Sequence, residues 1–163
     1  MRLKTFLLTG LLSLGTMTIK AQEMQVLPFT QIQNDVLTKR KLYEQIIKYG
    51  IKFPDIVFAQ ALLESGEFTS GLFKSANNLF GMKVPDTRES ARIGETKSGY
   101  SKYEDWYFSV YDYSLWQNFM LKNKGDLTKN QYLAFLGKIY ASDKRYVSSI
   151  KRVIGEHQHI LMD

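Results

Sequence analysis

The segment PDIVFAQALLESG, residues 54–66, constrains the fold more than any other part of the chain. Pro54 and Asp55 are typical of the first turn of a helix, and Gly66 is typical of the position that ends one. The residues between them are apolar on nearly every side of that helix: Ile56, Val57, Phe58, Ala59, Ala61, Leu62 and Leu63. A helix that is apolar all round is mostly buried. The segment therefore predicts a core helix.

Two polar residues interrupt one face of this helix, Gln60 and Glu64, which are four positions apart. Polar groups on a buried helix need a cavity, a partner or water. Glu64 lies near the helix C-terminus, where the dipole disfavours negative charge, and burial acts in the same direction. Both effects predict a raised pKa, which suits a general acid. The alternative is a structural pairing of Glu64 with a lysine or arginine. Glu67, beyond Gly66, is expected to face solvent.

Apolar periodicity and helix-boundary residues predict four or five helices. They run from about residue 35 to Gly50, from 54 to 65, from a cap at Ser109, after Thr128 and after Asp143, with a short amphipathic piece from Ser70 to Ala76. Residues 84–107 break this pattern and contain TKSG, which is typical of a hairpin tip. The sequence therefore predicts an α or α+β single domain.

The first 21 residues have the layout of a secretory signal peptide. Arg2 and Lys4 precede a short apolar run, and Ala21 is a small residue at a cleavage point. The run is too short and too interrupted for a membrane span, although an uncleaved anchor is the alternative. We therefore expect a signal peptide over 1–21, a leader over 22–34 and one domain over 35–163, with no membrane span after cleavage.

Composition argues against several classes of function. The formal charge is +6, and three basic residues leave with the signal peptide, so that +3 remains, too little to indicate nucleic-acid binding. The chain has no cysteine, which suits a bacterial periplasm or exterior. His157 and His159 are two positions apart and do not share a helix face, so no zinc site is expected. No metal and no organic cofactor is implied.

Amide and aromatic side chains follow the predicted core helix. Asn77 and Asn78 precede an apolar pair and Gly81. Aromatic residues then cluster in the β segment: Tyr100, Tyr103, Trp106 and Tyr107. Aromatic faces with nearby amides suit a sugar ring and its acetamido group. Most of the aromatic side chains are expected in the core, and two or three are expected to contact a ligand.

Four sequence blocks together resemble the glucosaminidase domain of glycoside hydrolase family 73: AQALLESG, NNLFGMK, YSKYEDWYFSVYDYSLW and YASDKRYVSSI. The resemblance runs from about Asp35 to Ile154. It implies a mainly α, α+β lysozyme-like fold with a small β-hairpin lobe beside the active-site cleft. It also implies an enzyme that uses a general-acid glutamate to cleave bacterial peptidoglycan after N-acetylglucosamine.

The family motifs place this acid at Glu64 and put residues 78–81 on the cleft floor. The tyrosine of the last block falls on Tyr140, which is expected near the scissile sugar. The resemblance and the residue pattern together predict substrate contacts at Gln60, Asn78, Phe80, Tyr103, Trp106 and Tyr140. Relatives usually have an aromatic residue directly after ESG, whereas this chain has Glu67 before Phe68, which changes the local wall of the cleft.

A second catalytic group is needed to activate water or to act as nucleophile. In the family a glutamate of the β hairpin often has this role, and the candidates are Glu95, which we favour, and Glu89. The acetamido group of the substrate is a third possibility.

We therefore interpret the chain as a secreted or periplasmic peptidoglycan hydrolase of the β-N-acetylglucosaminidase type, whose partner is the glycan strand. A muramidase or lytic transglycosylase also uses one glutamate and is compatible with ESG. A catalytically inactive glycan-binding module is the alternative if the hairpin has no usable carboxylate. The oligomeric state stays open.

Overall fold

A computed structural model describes residues 36–140 and 145–162, except for the side chain of Tyr140. The predicted signal peptide (1–21) and leader (22–34) lie outside the described residues. The same is true of Asp143, the predicted start of the last helix, and of the Tyr140 side chain, a predicted substrate contact.

The described residues form seven helices and one two-stranded antiparallel sheet. In chain order the elements are α1 (Lys39–Lys48), α2 (Pro54–Ser65), α3 (Gly71–Ala76), β1 (Gly94–Glu95), β2 (Ser101–Lys102), α4 (Trp106–Leu121), α5 (Lys129–Tyr140), α6 (Tyr146–Glu156) and α7 (Gln158–Leu161). The prediction of a mainly α domain with a small β-hairpin lobe is therefore confirmed. No helix in the described part of the chain is both long and apolar enough to cross a membrane.

Helix α2 has the bounds that its sequence predicts, and it is the core helix. Every residue from Ile56 to Leu62 is at most 1% exposed. Helices α6 and α1 cover α2. Gly66 ends the helix at φ +56°, where its N–H contacts the carbonyl groups of Leu62 and Leu63. Because packing fixes α2 in the core, the side chains of its last turn have a defined position.

Large aromatic side chains fill the core around α2. Phe80 packs on Tyr113 with ring centroids 4.3 Å apart, and Phe53 stacks on Tyr132 with centroids 4.6 Å apart. Three of these four side chains are fully buried, since Phe53 alone is partly exposed. These contacts join α4 and α5 to the segments on either side of α2.

A chain of hydrogen bonds also runs through this core. Gln117 Nε2 donates to the Tyr132 hydroxyl at 2.8 Å, and the Tyr113 hydroxyl donates to Gln60 Oε1 at 2.7 Å. The two tyrosine hydroxyls lie 2.8 Å apart. Because the Tyr113 proton is directed at Gln60, Tyr132 is the donor between the two phenols. The chain of bonds thus links α4, α5 and α2 inside the core.

The predicted start of the fourth helix, at Ser109, is wrong. Helix α4 begins at Trp106, and Asp105 is its N-cap. Ser109 is fully buried one turn inside the helix, where its hydroxyl accepts a hydrogen bond from the Leu79 N–H at 3.0 Å. Serine and aspartate are both good caps, so the local pattern does not decide between them. The hydrogen bond with Leu79 occupies the Ser109 side chain, and Asp105 caps the helix.

The two predicted C-terminal helices are present, with one difference. Helix α5 begins after Thr128, whose Oγ1 accepts from the Gln131 N–H at 3.3 Å while Gln131 Oε1 accepts from the Thr128 N–H at 2.8 Å. The predicted last helix is divided, because α6 ends at Glu156 and α7 begins at Gln158. His157 lies between them with φ −118° and ψ 19°.

The β hairpin is short and its tip is the predicted one. Glu95 pairs with Ser101 across the sheet. The TKSG turn closes with a hydrogen bond from the Gly99 N–H to the Thr96 carbonyl at 2.9 Å, and Gly99 has φ +72°. An isolated antiparallel bridge joins Lys83 to Tyr100, so the segment after α3 lies along the hairpin.

Candidate active site

Glu64 lies in the last turn of α2, where its side chain is half-buried. Burial raises the pKa of the Glu64 carboxyl above its ordinary value, and an interaction with the Tyr146 side chain opposes part of that rise. The net direction is the one that the burial argument predicts. A carboxyl with a raised pKa keeps its proton closer to neutral pH, which a general acid requires.

Glu64 opens into a cleft with a volume of about 580 Å³. The other described residues that line it are Leu72, Gly81, Met82, Lys83, Val84, Pro85, Arg88, Tyr100, Trp116 and Ile139. They belong to α3 and the segment after it, to the hairpin, and to α4 and α5. The cleft therefore lies between the helices and the hairpin lobe, with Glu64 in its wall.

Gly81 brings the backbone close to the acid. It has φ +64°, in the left-handed region that favours glycine. A Cβ atom at this position would lie 3.7 Å from Glu64 Oε2. The last residue of the NLFG block is thus a wall of the cleft directly beside Glu64, and a Cβ atom there would be in van der Waals contact with the carboxyl.

Asn78 and Phe80 of the same block lie behind this wall. Asn78 Nδ2 donates to the carbonyl groups of Met82 at 2.9 Å and Ser101 at 2.8 Å, and its Oδ1 accepts from the Met82 N–H at 3.0 Å. Phe80 is fully buried against Tyr113. Both side chains shape the segment that forms the wall, and in this structure they do not line the cleft.

Gln60 lies in the core, one turn before Glu64. It is fully buried, and its Oε1 accepts the Tyr113 hydroxyl proton. Its Nε2 has no hydrogen-bond partner within the described part of the chain. Gln60 and Glu64 lie on the same face of α2, but only the last turn of this helix, which contains Glu64, reaches the cleft. Gln60 is therefore not placed to contact a sugar in this structure.

Tyr103 belongs to a buried ion-pair cluster. Arg88 Nη1 and Nη2 donate to the two carboxylate oxygens of Asp112 at 3.0 and 2.8 Å, and the Tyr103 hydroxyl donates to Asp112 Oδ2 at 2.8 Å. Burial pushes the Asp112 pKa upward, but hydrogen bonds from Arg88, Ser90 and Tyr103 outweigh it and hold that pKa below its ordinary value. Ionised Asp112 therefore neutralises the guanidinium of Arg88.

The other two predicted contacts are aromatic. Trp106 begins α4 and is buried, with its ring centroid 5.8 Å from that of Tyr107. Tyr140 ends α5, and its side chain is outside the described residues. Trp106 and Tyr103 are not among the described lining residues. Direct sugar contacts by these side chains stay predictions.

Both candidates for the second carboxylate are exposed. Glu95 lies in β1, and Glu89 lies in the segment between α3 and β1. Neither is among the described residues of the cleft lining, where Glu64 is the one carboxylate. The identity of the second catalytic group therefore stays a prediction.

Residues 39–159 match the family model named Glucosaminidase, which is described as mannosyl-glycoprotein endo-beta-N-acetylglucosaminidase. The chain belongs to the glucosaminidase family. This glucosaminidase is therefore a glycoside hydrolase, and the membership predicted from the four sequence blocks is confirmed. None of the curated proteins compared with the chain matches it.

Two solved structures are similar in fold to this glucosaminidase. The catalytic domain of the autolysin Auto from Listeria monocytogenes has 22% sequence identity and a TM-score of 0.54, over 82% of this chain and 93% of that one. A peptidoglycan hydrolase mutant from Sphingomonas sp. A1 has 21% identity and a TM-score of 0.50, over 74% of this chain and 94% of the other. At these identities the likeness is one of fold.

Sequence reasoning missed several residues around the acid of this glucosaminidase. The Tyr146 side chain interacts with Glu64 and lowers its pKa, and it lies in the same YASDKRYVSSI block as Tyr140. That block was therefore a usable signal, and the contact predicted for Tyr140 stays a prediction. The half-buried aromatic residues Tyr100 and Trp116 line the cleft. Their exposure depends on tertiary packing, which the local pattern does not report.

The described residues contain no group of three or more histidine, cysteine, aspartate or glutamate side chains that could hold a metal ion. His157 instead has a structural position. Its Nδ1 donates to the Val153 carbonyl at 3.0 Å, and its Nε2 lies 2.8 Å from Lys39 Nζ. Lys39 Nζ also lies 2.6 Å from Glu67 Oε2, so the exposed Glu67 belongs to a surface ion pair.

Proposed function

We propose that this glucosaminidase is an exported peptidoglycan hydrolase that cleaves the glycan strand after N-acetylglucosamine, with Glu64 as the general acid. The main support is one observation, a half-buried carboxyl with a raised pKa in the wall of a large cleft. Family membership supports the sugar at the cleaved bond. Peptidoglycan as substrate is supported by the two structural neighbours, an autolysin and a peptidoglycan hydrolase.

In this proposal, protonated Glu64 donates its proton to the glycosidic oxygen while the bond to the anomeric carbon breaks. The leaving sugar departs as an alcohol, and Glu64 becomes a carboxylate. The Tyr146 side chain stabilises that carboxylate, because its interaction with Glu64 lowers the pKa of the acid and so favours the charged form. Burial favours the protonated form before the reaction, so the two effects act on different states of the same side chain.

The positive charge that develops at the anomeric carbon requires a second group. Glu95 on β1 is our first candidate and Glu89 the second, and both are exposed on the hairpin side of the chain. The acetamido group of N-acetylglucosamine is the third, since it can attack the anomeric carbon without any protein carboxylate.

Export follows from the proposed substrate and from the N-terminal sequence. Peptidoglycan lies outside the cytoplasmic membrane, so an enzyme that hydrolyses it has to leave the cytoplasm. Arg2 and Lys4 before a short apolar run, and Ala21 at its end, are typical of a signal peptide. We propose cleavage after Ala21 and a secreted or periplasmic mature enzyme.

The test of the acid is Glu64→Gln, which removes the transferable proton and keeps nearly the same size. We expect the release of reducing ends from purified peptidoglycan to fall by about 10²–10⁴-fold, which is the usual contribution of a general acid. Glu67→Gln is the matched control, because it makes the same change three residues later on an exposed side chain paired with Lys39. Its activity is expected to equal that of the wild type.

The products identify the bond that is cleaved. New reducing ends on N-acetylglucosamine support the proposal. Reducing muramic acid would assign a muramidase, and an anhydro sugar would assign a lytic transglycosylase. Binding of glycan without release of any product would assign a catalytically inactive glycan-binding module. Equal activity of Glu64→Gln and the wild type would show that Glu64 is not the general acid. Glu95→Gln in the same assay separates Glu95 from the other two candidates for the second group.

A further inference from the structure

Lys83 lies in the wall of the cleft, two residues after the glycine that faces the acid. Two residues of chain span at most about 7 Å, so the backbone of Lys83 lies within that distance of Gly81. Lys83 and Glu64 line the same cleft. An antiparallel bridge with Tyr100 fixes the backbone of Lys83 beside the hairpin. A strand bound at Glu64 therefore has to pass close to this lysine.

Within the described part of the chain, the ammonium group of Lys83 has only neutral partners. Its Nζ donates to the Ser98 carbonyl at 2.8 Å and lies 3.5 Å from the centre of the Tyr100 ring. None of the ion pairs among the described residues involves Lys83. An ammonium has three N–H donors, and the carbonyl of Ser98 uses one. Lys83 is exposed, so its remaining donors can reach a ligand.

Among the described residues that line the cleft, Lys83 is the cation without a paired carboxylate. The other basic residue of the described lining is Arg88. Its guanidinium donates through both Nη atoms to the carboxylate of ionised Asp112. Asp112 is fully buried, so that pair presents little charge to the cleft. A positive charge without a described counter-charge, in the cleft that contains Glu64, suits a substrate that has negative charges near the cleaved bond.

Peptidoglycan has such charges and a plain N-acetylglucosamine polymer does not. Its muramic acid units bear a lactyl carboxyl, which is either free or linked to a stem peptide with carboxylates of its own. We propose that Lys83 is a specificity-determining residue, which binds these carboxylates and makes the enzyme prefer peptidoglycan strands over neutral N-acetylglucosamine polymers. The inference rests on the proposed function and adds a chemical reason for the choice of substrate.

The test is steady-state kinetics of Lys83→Met on three soluble substrates. They are neutral N-acetylglucosamine oligomers, peptidoglycan strands with stem peptides, and strands from which an amidase has removed the peptides, leaving the lactyl carboxyls free. Methionine keeps an apolar stem against Tyr100 and removes the charge. We expect KM for the anionic strands to rise about three- to fivefold, the effect of losing one partly exposed ion pair, with kcat unchanged. Both constants for the neutral oligomers should equal those of the wild type.

Two further variants separate charge from structure. Lys83→Arg keeps a cation at this position and should retain the preference of the wild type. Lys102→Met removes the same charge from β2, where Lys102 is exposed and is not among the described lining residues. It should leave all constants unchanged. Because salt screens exposed charges, the preference of the wild type should also weaken as ionic strength rises.

Each outcome decides the inference. If Lys83→Met weakens activity equally on neutral and anionic substrates, the role of Lys83 is to hold the hairpin in place through Ser98. If the kinetic constants change on no substrate, Lys83 has no role in binding. Either result overturns the inference. An effect confined to peptide-bearing strands assigns the contact to the stem peptide, and an effect on stripped strands assigns it to the lactyl carboxyl. A wild-type enzyme that cleaves only the neutral oligomers would overturn the proposed function itself.

Discussion

At the scale of the residue, Glu64 couples the chemistry to the stability of the fold. Burial makes its ionised form unfavourable in the folded protein, and its pKa is therefore higher there than in the unfolded chain. The folded state then binds the proton more tightly than the unfolded state. By linkage, the stability that depends on this proton is fully present below the unfolded pKa and is lost as pH rises through the folded pKa.

Glu64→Gln is therefore expected to be more stable than the wild type at neutral and mildly alkaline pH, because glutamine never acquires the buried charge. The difference in Tm should disappear below about pH 4, near the unfolded pKa of glutamate. Thermal unfolding of both proteins across this range measures it. The alkaline fall of kcat/KM in the wild type should have its midpoint at the folded pKa of Glu64, which is the pH at which the difference in Tm stops growing, since one proton governs both. A difference in Tm that is independent of pH would contradict this explanation.

The sequence identified Glu64 because α2 is so apolar that a polar side chain stands out. The same pattern predicted a substrate contact for Gln60, which stays a prediction. Both residues lie on one face of the helix, but Gln60 is fully buried and Glu64 lines the cleft. Which turn of a buried helix emerges at a cleft depends on the elements that cover it, and helical periodicity contains no information about them.

At the scale of the element, polar side chains hold the segment between α3 and β1 in place. Asn78, at the start of this segment, donates hydrogen bonds to Met82 in the same segment and to Ser101 in β2. Arg88 ties its middle to Asp112 of α4, and the Ala91 N–H also donates to Asp112 at 2.9 Å. The segment forms a large part of the cleft wall. Its shape therefore depends on a few buried hydrogen bonds rather than on secondary structure.

Asp112→Asn should show how much one of these contacts contributes. It leaves the buried guanidinium of Arg88 without its counter-charge, which is expected to lower the free energy of unfolding by about 3–5 kcal/mol. Glu67→Gln is the matched control, since it removes the acid from the exposed pair with Lys39 and should cost less than about 1 kcal/mol. Urea denaturation measures both. Similar losses for the two variants would mean that Asp112 does not neutralise a buried charge.

Elements defined by local chemistry could be predicted, and elements defined by distant contacts could not. The TKSG tip of the hairpin needs only a turn and a glycine with positive φ, and Gly99 supplies both. The start of α4 was missed, because Ser109 and Asp105 are equally good caps in isolation. The side chain of Ser109 instead bonds to Leu79, thirty residues earlier in the chain.

At the scale of the whole molecule, the chain of bonds from Gln117 through the two tyrosines to Gln60 joins three helices. Burial raises the pKa of Tyr132 to about 12, so its phenol stays protonated and remains a donor. The apolar core fixes which helices pack together. Buried hydrogen bonds of this kind additionally require one arrangement of the polar side chains, because a misplaced partner leaves a buried group unsatisfied.

Tyr113→Phe tests this network. It removes the donor to Gln60 Oε1 and leaves the Gln60 amide buried with no partner at either end among the described residues. We expect a loss of about 1–3 kcal/mol in the free energy of unfolding. KM for peptidoglycan should not change, because neither side chain is among the described lining residues. A higher KM with unchanged stability would instead support Gln60 as a substrate contact.

The overall fold was predictable, since the bounds of α2 and the four motif blocks lie in continuous stretches of sequence. The cleft wall was not, because it combines residues such as Leu72, Trp116 and Ile139, which meet only in the folded chain. The five predicted substrate contacts whose side chains are described are all buried, and none is among the described lining residues. The sequence motif alone does not distinguish residues that stabilise the fold from residues that contact the substrate. Their burial in the folded chain does.

Glu64, the proposed acid, lies on the core helix α2, and the surfaces around it lie mainly on segments outside that helix. Substitutions in α2 therefore threaten folding and catalysis together, whereas the exposed positions of the described wall, Lys83 and Ile139, can change without disturbing the core. Natural drift and laboratory evolution should thus alter the range of sugars accepted by the cleft much faster than the reaction performed in it.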